Sequence, residues 1–145
     1  MVDALRESHR VLKPGGLLVD LRPAAVHRRV GFTQGDGYKL RWTMRENFDD
    51  DRAADRAVKE VVGKGWFAPE SPKQFDCYRI ADSLDEFVGW LDDFIKKGDF
   101  ASHAWLVSAL ESELKSTGPE TKIVISGPLV LRGLRKLDSD DSKLS

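Results

Sequence analysis

Along the first dozen residues, Leu5, Val11 and Leu12 stand among Arg6, Glu7, Ser8, His9 and Arg10, a spacing that predicts a short helix over residues 3–12 with one apolar stripe. Lys13-Pro14-Gly15-Gly16 stops it: Pro14 cannot donate to the helix ladder and biases Lys13 away from helical geometry, while the glycines tolerate a tight exit. Leu17-Leu18-Val19-Asp20-Leu21 then follows as a nearly unbroken apolar run of strand length. Strands covered on both faces read this way, so residues 16–21 are expected to form a buried central strand, closed by Arg22-Pro23.

Between residues 26 and 45, two extended segments flank Gln34-Gly35-Asp36-Gly37 and predict a β-hairpin. On its second arm Tyr38, Leu40, Trp42 and Met44 alternate with Lys39, Arg41, Thr43 and Arg45, which implies one apolar, inward face and one basic face. Asn47 is placed to cap a helix whose first turn holds Asp49, Asp50 and Asp51 and whose stripe is Ala54, Val58, Val61 and Val62, ending at Gly63 and Gly65. Three consecutive acids on a helix point in three directions, so they complement the helix dipole rather than hold one metal ion.

Past Pro69 and Pro72, residues 74–80 predict a short strand with Phe75, Cys77 and Tyr78 as its apolar content. Ser83-Leu84-Asp85-Glu86 matches a capping box and opens a helix whose Phe87, Leu91, Phe94 and Ile95 form a core face, ending at Lys96-Lys97-Gly98. Asp99 can start another helix, carrying Leu106, Ala109, Leu110 and Leu114. Residues 122–134 read as one long strand interrupted at Gly127-Pro128, where the proline implies a bulge or an edge position. Residues 1–137 thus predict a single α/β domain, and residues 138–145 a mobile polar tail.

Composition narrows the function classes. The chain has 145 residues, of which 41% are hydrophobic and 32% charged, with 23 Lys+Arg against 24 Asp+Glu and a formal net charge of −1. A globally basic nucleic-acid binder and an acidic disordered chain are excluded by that balance. No apolar run approaches the roughly 20 residues of a membrane-spanning helix, the start lacks a basic segment followed by an apolar one, and the single Cys77 cannot form an intramolecular disulfide. A cytoplasmic protein without membrane contact is expected.

The order helix, Arg10-Val11-Leu12-Lys13-Pro14-Gly15-Gly16, apolar strand resembles the segment that leads into the fifth strand of class I S-adenosylmethionine-dependent methyltransferases. The resemblance implies an incomplete Rossmann-like methyltransferase sheet with a β-hairpin insertion and flanking helices, in which residues 74–80 and 122–134 take the places of the sixth strand and the antiparallel seventh. It covers only the C-terminal part of the family fold. The family binds S-adenosylmethionine mainly through a glycine-rich turn, an acidic residue and further residues upstream of the RVLKPGG-type stretch, so no cofactor-binding residue carries over and no cofactor is expected in the isolated chain. A truncated, split or degenerate methyltransferase is implied. Its first strand, lacking its usual neighbour, invites pairing with a second copy, giving a homodimer, or with a chain that supplies the missing half.

No catalytic or metal-binding set is recognised: His9, His27 and His103 show no ligand spacing, Cys77 has no nucleophile motif, and neither a serine nucleophile elbow nor a phosphate loop is present. The one concentration of charge is Arg22, Arg28, Arg29, Lys39, Arg41 and Arg45, opposed only by Asp36, a candidate for binding a phosphate, a carboxylate or nucleic acid if the hairpin gathers it, with Tyr38 and Trp42 as stacking partners. A solvated basic face is the plainer reading. Three functions follow: a methyltransferase-like half domain without transferase activity alone, a module that binds anions through the hairpin, and a methyltransferase completed in trans.

Overall fold

The computed structural model describes residues 1–96 and 103–138. The expected end of a helix at Lys97 and Gly98, the start of the next at Asp99, and the tail beyond Asp138 lie outside the described residues. The fold of the described residues is mixed α/β, with four helices and a six-stranded sheet in which every pairing of resolved register is antiparallel. Where the sequence suggests one domain over 1–137, the chain divides into two compact units. Each draws on separated stretches of chain, so no linker composition marks the boundary.

The first unit is built from Met1–Ala25, Asp49–Phe75 and the chain from Leu129 onward. Its elements are α1 (Val2–Val11), β1 (Leu17–Pro23), α2 (Asp49–Gly63), β4 (Phe67–Pro69) and the second half of β6 (Ile123–Lys136). Leu5 of α1, Ala57, Val58 and Val61 of α2, Phe67 of β4 and Leu134 of β6 form its core, with Leu12, Leu18 and Trp66 packed around them. Full burial of side chains of this size contributes roughly 1.5–3 kcal/mol each. Asp49, Asp50 and Asp51 occupy the first turn of α2, where the helix dipole favours negative charge.

The second unit comprises Val26–Phe48 and Asp76–Pro128. It holds β2 (Arg29–Gln34), β3 (Gly37–Thr43), most of β5 (Lys73–Ala81), α3 (Leu84–Lys96), α4 (Ala104–Leu114) and the first half of β6. Val30, Met44, Ala81, Phe87, Leu91, Leu106, Leu110, Ile123 and Ile125 form the core. The capping box closes as the sequence suggests: the Glu86 amide donates to Ser83 Oγ at 3.1 Å, and the Glu86 carboxylate accepts from the Asp82 amide at 2.8 Å. Ile95, expected on the core face of α3, is exposed.

The hairpin forms, but its expected division into faces does not survive along β3. A bulge between Val30 and Gly31 sets Val30 opposite Trp42 and Gly31 opposite Leu40, so Arg41 is the extra residue and the faces exchange beyond it. Met44 is buried and Trp42 packs on the core, whereas Lys39 shares a face with Phe32, and Tyr38, opposite Thr33, is exposed. Gly31 is required here, since a Cβ would sit 1.8 Å from the Lys39 carbonyl oxygen. β6 runs unbroken through Gly127 and Pro128. It pairs with β2 up to Ser126 and with β1 from Leu129, so the proline falls between the two ladders and removes no bond from either.

Candidate functional site

β1 departs most from expectation, being an edge strand rather than a central one. It pairs antiparallel with β6 on one side, Leu17 opposite Arg135 through Pro23 opposite Leu129, and with no strand on the other among the described residues. The Lys136 amide donates to the Gly16 carbonyl at 2.8 Å, whereas the Gly133 carbonyl and the Leu137 amide bond on the β4 side, to the Glu70 amide and the Trp66 carbonyl. Even-numbered residues of β1 therefore turn their backbone groups toward β6, and Leu17, Val19 and Leu21 turn theirs to the open edge. The same three side chains are 41%, 56% and 53% exposed. Leu18 reaches the core on the opposite face.

That opposite face also carries an ion-pair network. Arg22 Nε donates to both carboxylate oxygens of Asp20 at 2.9 and 3.0 Å, one Arg22 terminal nitrogen donates to Asp55 at 3.0 Å, and Arg132 donates to the same Asp55 oxygen at 2.6 Å. The hydrogen bond to Asp20 raises the Arg22 pKa above its ordinary value. Burial pushes the Asp55 carboxyl up, but the hydrogen bonds from Arg132 and Arg22 outweigh it and hold the group below the usual carboxylate range. Arg22 is thus neutralised by carboxylates of its own unit. The Asp20-x-Arg22 spacing, which places both on one face of a strand, is the sequence signal that points to this pair.

The other five candidate cations belong to the second unit, where Lys39 and Arg41 come together at one cleft. Arg28 pairs with Glu46, whose carboxylate also accepts from the Arg28 amide at 2.7 Å. Arg29 donates to the Leu40 carbonyl at 3.4 Å. Arg41 pairs with Glu113 of α4 and lies 5.0 Å over the Trp42 ring. Arg45 is exposed, its amide donating to the buried His103 Nε2 at 3.2 Å. Lys39 and Arg41 line an open cleft of about 970 Å³ with Phe32, Thr33, Glu113 and Thr121. The acids Glu46 and Glu113 are far from the basic segment in sequence or outside the stretch that looked basic, so the charge run hides its own neutralisation.

His27 Nδ1 accepts from the Glu46 amide at 3.0 Å, and His9 packs against Trp66 and the edge of Phe67. Cys77 is exposed. The Tyr38 and Tyr78 hydroxyls hydrogen-bond at 2.6 Å, a pair the sequence does not announce, and with the Tyr78 proton held in this bond, and burial and Asp76 adding to it, the Tyr78 pKa is raised to about 12. Among the described residues no three histidine, cysteine, aspartate or glutamate side chains gather into a metal site, and no helix is long and apolar enough to cross a membrane. No protein-family model, curated protein or solved structure matches the chain.

Proposed function

We propose that the chain is a methyltransferase-like half domain that holds no methyl donor by itself and assembles through the outer edge of β1. The observation that carries this reading is a strand whose sequence calls for two covered faces and two neighbours, yet which has β6 alone beside it and leaves Leu17, Val19 and Leu21 bare. The order β1, β6, β4, with β6 antiparallel to both, supports the Rossmann-like affiliation on condition that β4, and not the expected residues 74–80 of β5, takes the place of the sixth strand beside the fifth and seventh. Transfer needs the methyl donor aligned with its acceptor, and in the resembling family the residues that bind the donor lie upstream of the RVLKPGG-type segment. Titration calorimetry with S-adenosylmethionine is the test. No binding heat is expected from this chain alone, and saturable binding to this chain alone overturns the reading; heat that arises only after mixing with a chain that carries the glycine-rich half marks instead a methyltransferase completed in trans.

One observation favours a second reading, an anion-binding hairpin: Lys39 and Arg41 border the same cleft. It predicts binding of inorganic phosphate or an oligonucleotide that weakens with salt and is lost in Lys39→Ala. Absent or salt-insensitive binding removes it.

A further inference from the structure

We infer that the outer edge of β1 is occupied by the β1 of a second copy of this chain, antiparallel and with Val19 on the two-fold axis. This rests on the reading of β1 as an open assembly edge and names its occupant. The argument is one of self-complementarity. With Val19 on the axis, Val19 faces the second copy's Val19, Leu17 faces its Leu21, and Leu18 faces its Asp20. The backbone donors and acceptors of Leu17, Val19 and Leu21, which are the ones directed outward, all find partners in this register. The ladder also ends cleanly. Pro23, which has no N–H, meets the second copy's Gly15, whose N–H is already given to the Lys136 carbonyl at 3.1 Å.

Registers displaced toward Pro23 fail on the same observations. An axis at Asp20 sets that carboxylate directly against its own copy, a destabilising like-charge pair. An axis at Leu21 sets Val19 opposite Pro23 and forfeits a donor at each end. In the Val19 register Asp20 lies opposite an aliphatic side chain, with its charge answered inside its own copy by Arg22 at 2.9 Å. The open edge carries no lysine and no bulge; its charges, Asp20 and Arg22, lie on the covered face, and its proline, Pro23, closes the strand. One seven-residue ladder covers much less than the roughly 800 Å² per partner of a standard interface, so the dimer is weak, with dissociation in the micromolar range or above.

Light scattering after size exclusion, at loading concentrations from micromolar to several hundred micromolar, is expected to show the mass rising from one chain to two. Val19→Lys, at an exposed position that leaves the fold intact by circular dichroism, is expected to stay monomeric throughout. In a Cys77→Ser background, Val19→Cys should cross-link to itself on mild oxidation, whereas Leu17→Cys should cross-link with Leu21→Cys and not with itself. A monomer at every concentration, a dimer untouched by Val19→Lys, or self-cross-linking by Leu21→Cys in place of Val19→Cys each overturns the inference. A monomer that also binds no S-adenosylmethionine leaves the half-domain reading standing. Saturable binding of that donor to the lone chain removes the half-domain reading instead, so the two failures are told apart.

Discussion

Two short apolar runs, Leu17-Leu18-Val19-Asp20-Leu21 in β1 and Ile123-Val124-Ile125-Ser126 at the start of β6, are nearly interchangeable on paper and end in opposite environments. Ile123, Val124 and Ile125 are 1–3% exposed, while every second residue of β1 faces solvent. The difference lies in what the chain can set against each. Beside residues 123–126 it places β2, and Phe87, Leu91, Leu106 and Leu110 of α3 and α4 complete the core that Ile123 and Ile125 enter. For β1 it places α1 and α2 on one face and β6 on one edge, and leaves Leu17, Val19 and Leu21 about half exposed on the other face. A continuous apolar run thus states what a strand needs, and the fold states how much of that need this chain meets.

Paired substitutions test that contrast most strongly. Ile125→Ala is expected to destabilise by about 2–5 kcal/mol, because it removes packed atoms from a closed core, while Val19→Ala should stay within about 0.5 kcal/mol in dilute solution. Denaturant melts of the two variants check this, and similar losses would break the comparison. Next in size, Ser83→Ala should cost about 1 kcal/mol by removing the acceptor for the Glu86 amide, again read from denaturant melts. Asp55→Asn, which takes the shared carboxylate from Arg22 and Arg132, is expected to cost about 1 kcal/mol after allowing for its partial exposure. Since the folded Asp55 carboxyl lies below its unfolded value, its stabilisation is present above about pH 4 and is lost as pH falls through the folded value. The acid limb of a stability profile should therefore flatten in that variant.

The smallest effect sharpens the hairpin side. The chain has two tyrosines, so a tyrosinate absorbance titration should show Tyr78 ionising near pH 12, and Tyr38→Phe should return it toward the ordinary range. The raised value marks a contribution that is whole below the unfolded pKa of about 10 and fades as pH climbs through the folded one. Unchanged late ionisation in Tyr38→Phe would show that the hydroxyl pair is not the cause.

Much of the secondary structure was legible because its signals are local. The break at Lys13-Pro14-Gly15, the hairpin around Gly35 and the Ser83 to Glu86 capping box each need only a few neighbouring residues, and each lies where the spacing put it. The exchange of faces along β3 was hidden because it originates across the hairpin, in the approach of Gly31 to the Lys39 carbonyl. The acids that answer two of the candidate cations were hidden for a related reason. Asp55 and Glu113, which answer Arg22 and Arg41, stand 33 and 72 residues away along the chain. The division into two units was equally invisible, since both are assembled from interleaved segments and β6 passes from one to the other without a break in pattern.

Amide hydrogen exchange in β1 addresses the open edge most directly. In dilute solution the amides of Leu17, Val19 and Leu21 should exchange rapidly while those of Leu18, Asp20 and Arg22 are protected, and the first three should gain protection as concentration rises. Uniform slow exchange along β1 in a dilute, monomeric sample would contradict the account.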